Sequence, residues 1–224
     1  MTYAFDWDFI LRVAPRFGVA LLTTLQVFLT ALAISTSGAV LLALIGRSLP
    51  GRTLRWGLAT FSWLFRGLPE LIVLLFAYLA LPQLGLPLPS FWAAVCGLAL
   101  IGMAYEYEIF RGALNAVPGG QFEAARALGL GRVPLYARVI LPQVLRVAVT
   151  PYVTFACSSL KRTSVASAVA VPEIMGLSRR FNEAFQKPFE LMLIALVLYA
   201  ALSSLLMVLE HVLDSRLQRG LRAR

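Results

Sequence analysis

Glu106, Lys161 and Arg162 are ionisable residues set in stretches otherwise dominated by aliphatic, aromatic and small side chains. Placing such a group in hydrocarbon costs about 2.5 to 3.5 kcal/mol, so each calls for a partner, water or a ligand. The chemistry on offer is recognition of charge. Glu106 can receive an ammonium or a cationic side chain, and Lys161 or Arg162 a carboxylate, the guanidinium by a bidentate contact. Two structural readings stand beside this one: the cations pair with Glu173, and Glu106 faces a water-filled vestibule. Tyr105 and Tyr107 either line the same path or anchor the chain at an interface. Glu70, beside Pro69, either gates or solvates the start of a helix. Glu108 is different, because three positions before Arg111 it shares a helical face with that arginine and predicts an i,i+3 pair. No nucleophile and base stand together, so catalysis has no support. His211 has no companion ligand, and Cys96 and Cys157 lie in apolar runs as small hydrophobes, so neither a metal site nor a disulfide framework is expected.

The elements that must position these groups follow from composition. The 224 residues are 59% hydrophobic and 14% charged, with a mean hydropathy of +0.79. Apolar runs such as 18–45 and 191–209 are long enough to cross a bilayer, which takes about 20 helical residues. Lipid offers no partner for backbone polar groups, and a helix satisfies them internally. The expectation is an all-α polytopic membrane protein of about five spans, in one domain over 1–224. The spans are 18–45, an interrupted second, 91–107, 147–171 and 189–209. In the second, residues 56–65 lie at the cytoplasmic interface, RGLPE interrupts, and the helix enters the membrane near Pro69 to end around LPQLGLPLPS.

Arginine placement gives direction. The formal charge is +9, but its position flanking apolar runs reads as topology rather than as affinity for nucleic acid. Arg47, Arg52, Arg55 and Arg66 separate the first and second runs, and Arg216, Arg219, Arg222 and Arg224 follow the last; both regions belong in the cytoplasm. Residues 81–90 carry no charge and 172–190 balance theirs, so both face outward. The first 17 residues lack the basic start and cleavage site of a signal peptide and read as an outward, partly interfacial segment. The N-terminus is therefore outside and the C-terminus cytoplasmic. No internal repeat is visible, so a symmetric path needs a second subunit.

Between the third and fourth spans lies a cytoplasmic loop, about 112–142, containing EAARALGLGRVPLYARVILP from Glu123 to Pro142. VPGGQ supplies turn residues, Glu123 falls in a first helical turn where its charge suits the helix dipole, and Gly129 or Gly131 ends that helix. A second short helix starts at Pro134. Ala124 and Ala125 give a face of little bulk, open to close approach by another protein.

This loop resembles the EAA loop of permease subunits of ATP-binding-cassette importers, in the branch for polar amino acids and opines. The match is carried by Glu123, Ala124, Ala125, Gly129, Leu141 and Pro142, with Val139 where the consensus has Ile. RGLPELIVLLF, EIFRGALNAVPGGQ and SSLKRTSVAS are similar to further family segments, and the resemblance covers most of the chain from about Arg66 onward. Three positions depart from the family: Leu68 replaces Thr, Tyr107 replaces a small residue, and Arg162 replaces an acidic or small one. The resemblance implies that the loop docks in a groove of cytoplasmic ATPase subunits and that an extracytoplasmic binding protein delivers a small polar solute. It also implies a second permease subunit, identical or related, in a bacterial inner membrane. The substrate path would involve Glu106, Tyr105, Lys161 and Arg162. The chain has no GxxxxGK[ST] motif, so ATP and Mg belong to the partner ATPase and no cofactor is expected here. A secondary, ion-coupled transporter and a non-transporting membrane scaffold are the competing readings; neither needs an EAA loop.

Overall fold

The computed structural model describes residues 5–49 and 51–222, apart from the side chains of Arg132 and of 213–222. The basic tail is thus outside the described residues at Arg224 and without described side chains at Arg216, Arg219 and Arg222. Every regular element among the described residues is helical, and none is a strand. The elements are α1 (Trp7–Ser48), α2 (Arg52–Gly67), α3 (Glu70–Leu75), α4 (Ser90–Ala116), α5 (Gly119–Ala127), α6 (Arg132–Pro134), α7 (Leu141–Arg162), α8 (Ile174–Phe185) and α9 (Pro188–Arg222). Wider and tighter helical turns extend some of them. A π-type stretch at Phe76–Ala80 and a 3₁₀ turn at Leu81–Leu84 prolong α3, Leu135–Ile140 join α6 to α7, and Thr163–Val169 prolong α7.

Among the described residues, four stretches are long and apolar enough to cross a bilayer: Trp7–Ser48, Ser90–Ala116, Leu135–Val169 and Pro188–Val212. The fifth is broken, with Arg52–Gly67 and Glu70–Leu84 meeting at 101°. Proline sets that break, since Leu68 and Pro69 are both extended (ψ 138° and 129°) and the residue before a proline avoids the helical region.

Span limits differ from the sequence expectation in three places. The helix of the first span starts at Trp7, not residue 18. Asp6 caps it by accepting from the Phe9 N–H at 2.8 Å, and Pro15 is accommodated inside it. A stripe of Phe9, Val13 and Phe17 is buried there, with Phe9 against Phe185 and Phe17 against Phe181 at ring separations of 5.3 and 6.1 Å. Residues 7–17 are therefore one helix with the span, packed on α8. The third span continues to Ala116, and the fourth begins at Leu135 because the loop's second helix runs straight into α7.

Packing centres on α1 and α4, which run side by side in the same direction: Val27 and Ala31 cluster with Ala94 and Ala99, while Ala39 and Ala43 cluster with Tyr107 and Ala113. Small residues make this approach possible, as van der Waals contact between backbones replaces the hydrophobic drive that lipid removes. A Cβ at Gly102 would lie 2.9 Å from Ser35 Cβ, and one at Gly97 would lie 2.7 Å from Leu74 Cδ1. Ile174 and Phe181 of α8 close one end of the bundle against α1 and α9, and Phe122 and Ala125 of α5 join the core at the other.

Candidate functional site

At the break in the second span, the first residue of α3 meets the last residue of α7. Arg162 and Glu70 form an ion pair, with Arg162 Nε 3.0 Å from Glu70 Oε1, and each side chain retains about a quarter of its exposure (26% and 24%). The guanidinium also lies over Tyr105 and Phe155, 4.9 and 5.3 Å from their centroids, and those rings stack 5.7 Å apart. Beneath the pair is a cavity of about 20 Å³, lined by Ser35, Glu70, Gly102, Phe155, Ser159 and Arg162 among others. That is room for a single water. Gly102 stands near the middle of α4 (Ser90–Ala116), which puts the cluster halfway through the bundle. Opposite charges, aromatic faces and an interrupted helix at mid-depth form the kind of place where transporters hold polar solutes.

The residues singled out in the sequence separate here. Tyr105 and Arg162 come together. Glu106 turns to α1 instead, fully buried, with Ser35 Oγ donating to its Oε1 at 2.6 Å; Ser35 is also its link to the cavity wall. Lys161 is exposed and makes no ion pair among the described residues. Glu173 pairs with neither cation. Its carboxylate caps α8 through the N–H groups of Met175 and Gly176 and accepts from Tyr199 Oη at 2.5 Å. Glu108 and Arg111 form the expected pair at 2.5 Å. Sequence reasoning left Glu70 without a partner and did not single out Phe155; the one signal for Glu70 was a charge beside a helix-breaking proline.

The second candidate site is the loop after α4. α5 starts at Gly119, so Glu123 is the fifth helical residue and lies beyond the first turn, correcting the expected position. The turn residues Gly119 and Gly120 are themselves helical. Phe122 and Ala125 point inward, Phe122 lying under the Arg47 guanidinium at 4.8 Å and edge-on to Tyr136 at 6.4 Å. Glu123, Ala124, Ala127 and Leu128 are exposed, Leu128 by 80%. Ala125 is thus a seat for the helix, while Ala124 belongs to its free face. The helix stops because Gly129 adopts φ +74°, with its own N–H bonded to Arg126 O and the Leu130 N–H returning to Ala125 O at 3.0 Å. A Cβ at Gly129 would meet nothing within 4 Å, so glycine answers a left-handed backbone here and not close approach. Leu141 and Pro142 are exposed; Leu141 lines an apolar groove of about 470 Å³ with Val40, Leu44, Phe110, Tyr136 and Leu145 among others. Leu128 escaped the sequence reading, although its place just before Gly129 was a signal that it would crown the helix end.

Residues 35–219 match the family described as the binding-protein-dependent transport system inner membrane component. The chain is 32% identical to the probable amino-acid permease protein YxeN of Bacillus subtilis, over 97% of this chain and 98% of that one. It is 34% identical to the histidine/lysine/arginine/ornithine transport system permease protein HisM of Salmonella typhimurium, covering 86% and 85% of the two. Among solved structures, a chain of an amino acid ABC transporter crystallised with histidines superposes with a TM-score of 0.86 at 26% identity, over 96% of this chain and all of that one. An inward-facing methionine ABC transporter, MetNI, shares the fold at a TM-score of 0.71 and 18% identity, over 95% and 99%.

Proposed function

Since the chain belongs to the family of binding-protein-dependent transport system inner membrane components and is the permease subunit of an ABC importer, we propose that it carries polar amino acids through a path beside Arg162 and Glu70. In this reading α5 couples the path to a separate cytoplasmic ATPase, with Glu123, Ala124 and Leu128 as its contact face and Gly129 as its end. A second permease subunit, identical or related, completes the path, and an extracytoplasmic binding protein supplies the solute. ATP and Mg act on the ATPase chain. The α5 end of the bundle faces the cytoplasm and the α8 end faces outward.

The observation that carries the solute reading is the 3.0 Å Arg162–Glu70 pair over a cavity too small for anything beyond one water. A zwitterion presents the same two charges, so its carboxylate can replace Glu70 on the guanidinium while its ammonium takes the carboxylate of Glu70. Each internal contact is exchanged for an equivalent one, which lowers the cost of opening the site. The relatives named for amino-acid transport agree with that solute class. The test is purification of the permease co-expressed with its ATPase and binding protein, followed by uptake of labelled amino acids into proteoliposomes. An ATPase retained in mild detergent, with ATP-dependent uptake of an amino acid, is the expected result. Uptake driven by an ion gradient without ATP would overturn the reading.

A further inference from the structure

The α5 end of the bundle carries a polar cavity of about 470 Å³ between the ends of α1, α2 and α4, lined by Arg47, Arg55, Tyr107, Glu108, Arg111 and Asn115 together with Ala43, Ala59 and Leu114. Its charge is unbalanced. Glu108 is taken by Arg111, and among the described residues neither Arg47 nor Arg55 makes an ion pair. A second opening, sharing Arg55 and Ala59, adds Arg52 and Trp56, so the cavity continues along the exposed side of α2. There Trp56 and Trp63 stand 65% and 76% exposed. Indole rings in that position mark the headgroup level of a bilayer.

We propose that this cavity is a binding site for the phosphate headgroup of an anionic phospholipid. Arg47 and Arg55 supply the charge, with Tyr107 and Asn115 lining the same space as hydrogen-bonding groups. The small apolar wall of Ala43, Ala59 and Leu114 accepts the glycerol end of the lipid. Basic pockets between helices at the cytoplasmic level recognise such headgroups, and each arginine there contributes through the negative potential of that leaflet. The choice of a lipid over a free anion rests on the two tryptophans and on the opening along α2. The cytoplasmic level rests on the orientation proposed above. Because Arg47 also covers Phe122 of α5 at 4.8 Å, the headgroup is one side chain away from the coupling helix.

Native mass spectrometry of the purified permease–ATPase complex, delipidated and then titrated with dioleoyl phosphatidylglycerol or dioleoyl phosphatidylcholine, reads the site directly. The wild type should retain phosphatidylglycerol in preference to phosphatidylcholine, and Arg55→Gln should weaken that retention about fivefold, with a similar further loss when Arg47→Gln is added. Arg146→Gln removes the same charge outside the cavity and should leave retention unchanged, provided that melting temperatures show all variants folded. Equal retention by wild type and the double variant, or equal loss in Arg146→Gln, would overturn the proposal. Displacement of the lipid by inorganic phosphate alone would reassign the site to a free anion and overturn the lipid. The readout needs neither ATP nor solute, so its failure is separable from failure of the importer reading.

Discussion

At the scale of single residues, the Arg162–Glu70 pair joins a solute hypothesis to a stability cost. Removing one partner leaves a quarter-exposed charge without its counter-ion, which costs about 1 to 3 kcal/mol. Glu70→Gln and Arg162→Gln should therefore each lower the melting temperature in detergent. Reversal, Glu70→Arg with Arg162→Glu, should recover most of that stability while changing which amino acids are transported, because the solute's charges now meet their contacts in the opposite order. Recovery of stability and of unchanged selectivity together would make the pair a strut only. A second residue-scale prediction concerns the α8 end of the bundle. The Asp6 carboxylate accepts from Lys187 and from the Phe9 N–H, and these contacts hold its pKa below the usual aspartate value. A lowered folded-state pKa means stability that is present above the ordinary aspartate range and lost as pH falls through the lowered value. Protection of residues 7–12 against hydrogen exchange, taken relative to the intrinsic rate at each pH, should accordingly fall in strong acid, and Asp6→Asn should show the reduced protection already at neutral pH. Equal protection in the two proteins at neutral pH would count against it.

At the scale of elements, two glycines in the α1–α4 contact should respond differently to substitution. A Cβ at Gly38 would strike the end of the Met103 side chain at 2.3 Å, a thioether that can move aside. A Cβ at Gly102 meets the Ser35 Cβ and Oγ at 2.9 and 3.0 Å, and Ser35 is held by Glu106. Gly38→Ala should be tolerated, whereas Gly102→Val should cost about 1 to 3 kcal/mol through overpacking, visible as a lower melting temperature. Comparable effects at both sites would show that the helices adjust freely. This contact was not legible beforehand. In a bilayer the lipid face and the core face of a helix are both apolar, so hydrophobic periodicity cannot tell them apart, and only the small residues of α4 hinted at the inner side. The start of α1 was hidden for a related reason. Arg12, Pro15 and Arg16 break the apolar run, yet they sit on exposed positions while Phe9, Val13 and Phe17 continue the helix inward. Glu123 was misplaced by a turn because Gly119 and Gly120 looked like loop and are helix. The broken second span, in contrast, was readable from RGLPE, since a proline following a polar interruption fixes where the helix must restart. Glu70 was visible but its partner was not, for Arg162 lies on another helix far along the chain.

At the scale of the whole molecule, the two ends of the bundle differ in charge. The α8 end mixes Asp6, Glu183 and Glu190 with Arg12, Arg179 and Lys187, while the α5 end sets Arg47, Arg52, Arg55, Arg111, Arg126 and Arg138 against Glu108 and Glu123. The proposed orientation rests on that difference. In a background with Cys96 and Cys157 replaced, Gln83→Cys should react with an impermeant thiol reagent added outside intact cells and Ala127→Cys should not; the reverse pattern would invert the bundle. The central claim is that α5 passes ATP-driven movement to the path, and Gly129 offers the most direct access to it. A side chain there forces an L-residue into the left-handed region at a cost of about 1 to 2 kcal/mol and adds bulk to the free face, without touching the spans. The decisive measurement compares wild type and Gly129→Asp, reconstituted with ATPase and binding protein in vesicles, for solute uptake and solute-stimulated ATP hydrolysis. Coupling through α5 requires near-normal membrane abundance of the variant with both activities abolished; normal uptake together with normal stimulated hydrolysis would overturn it.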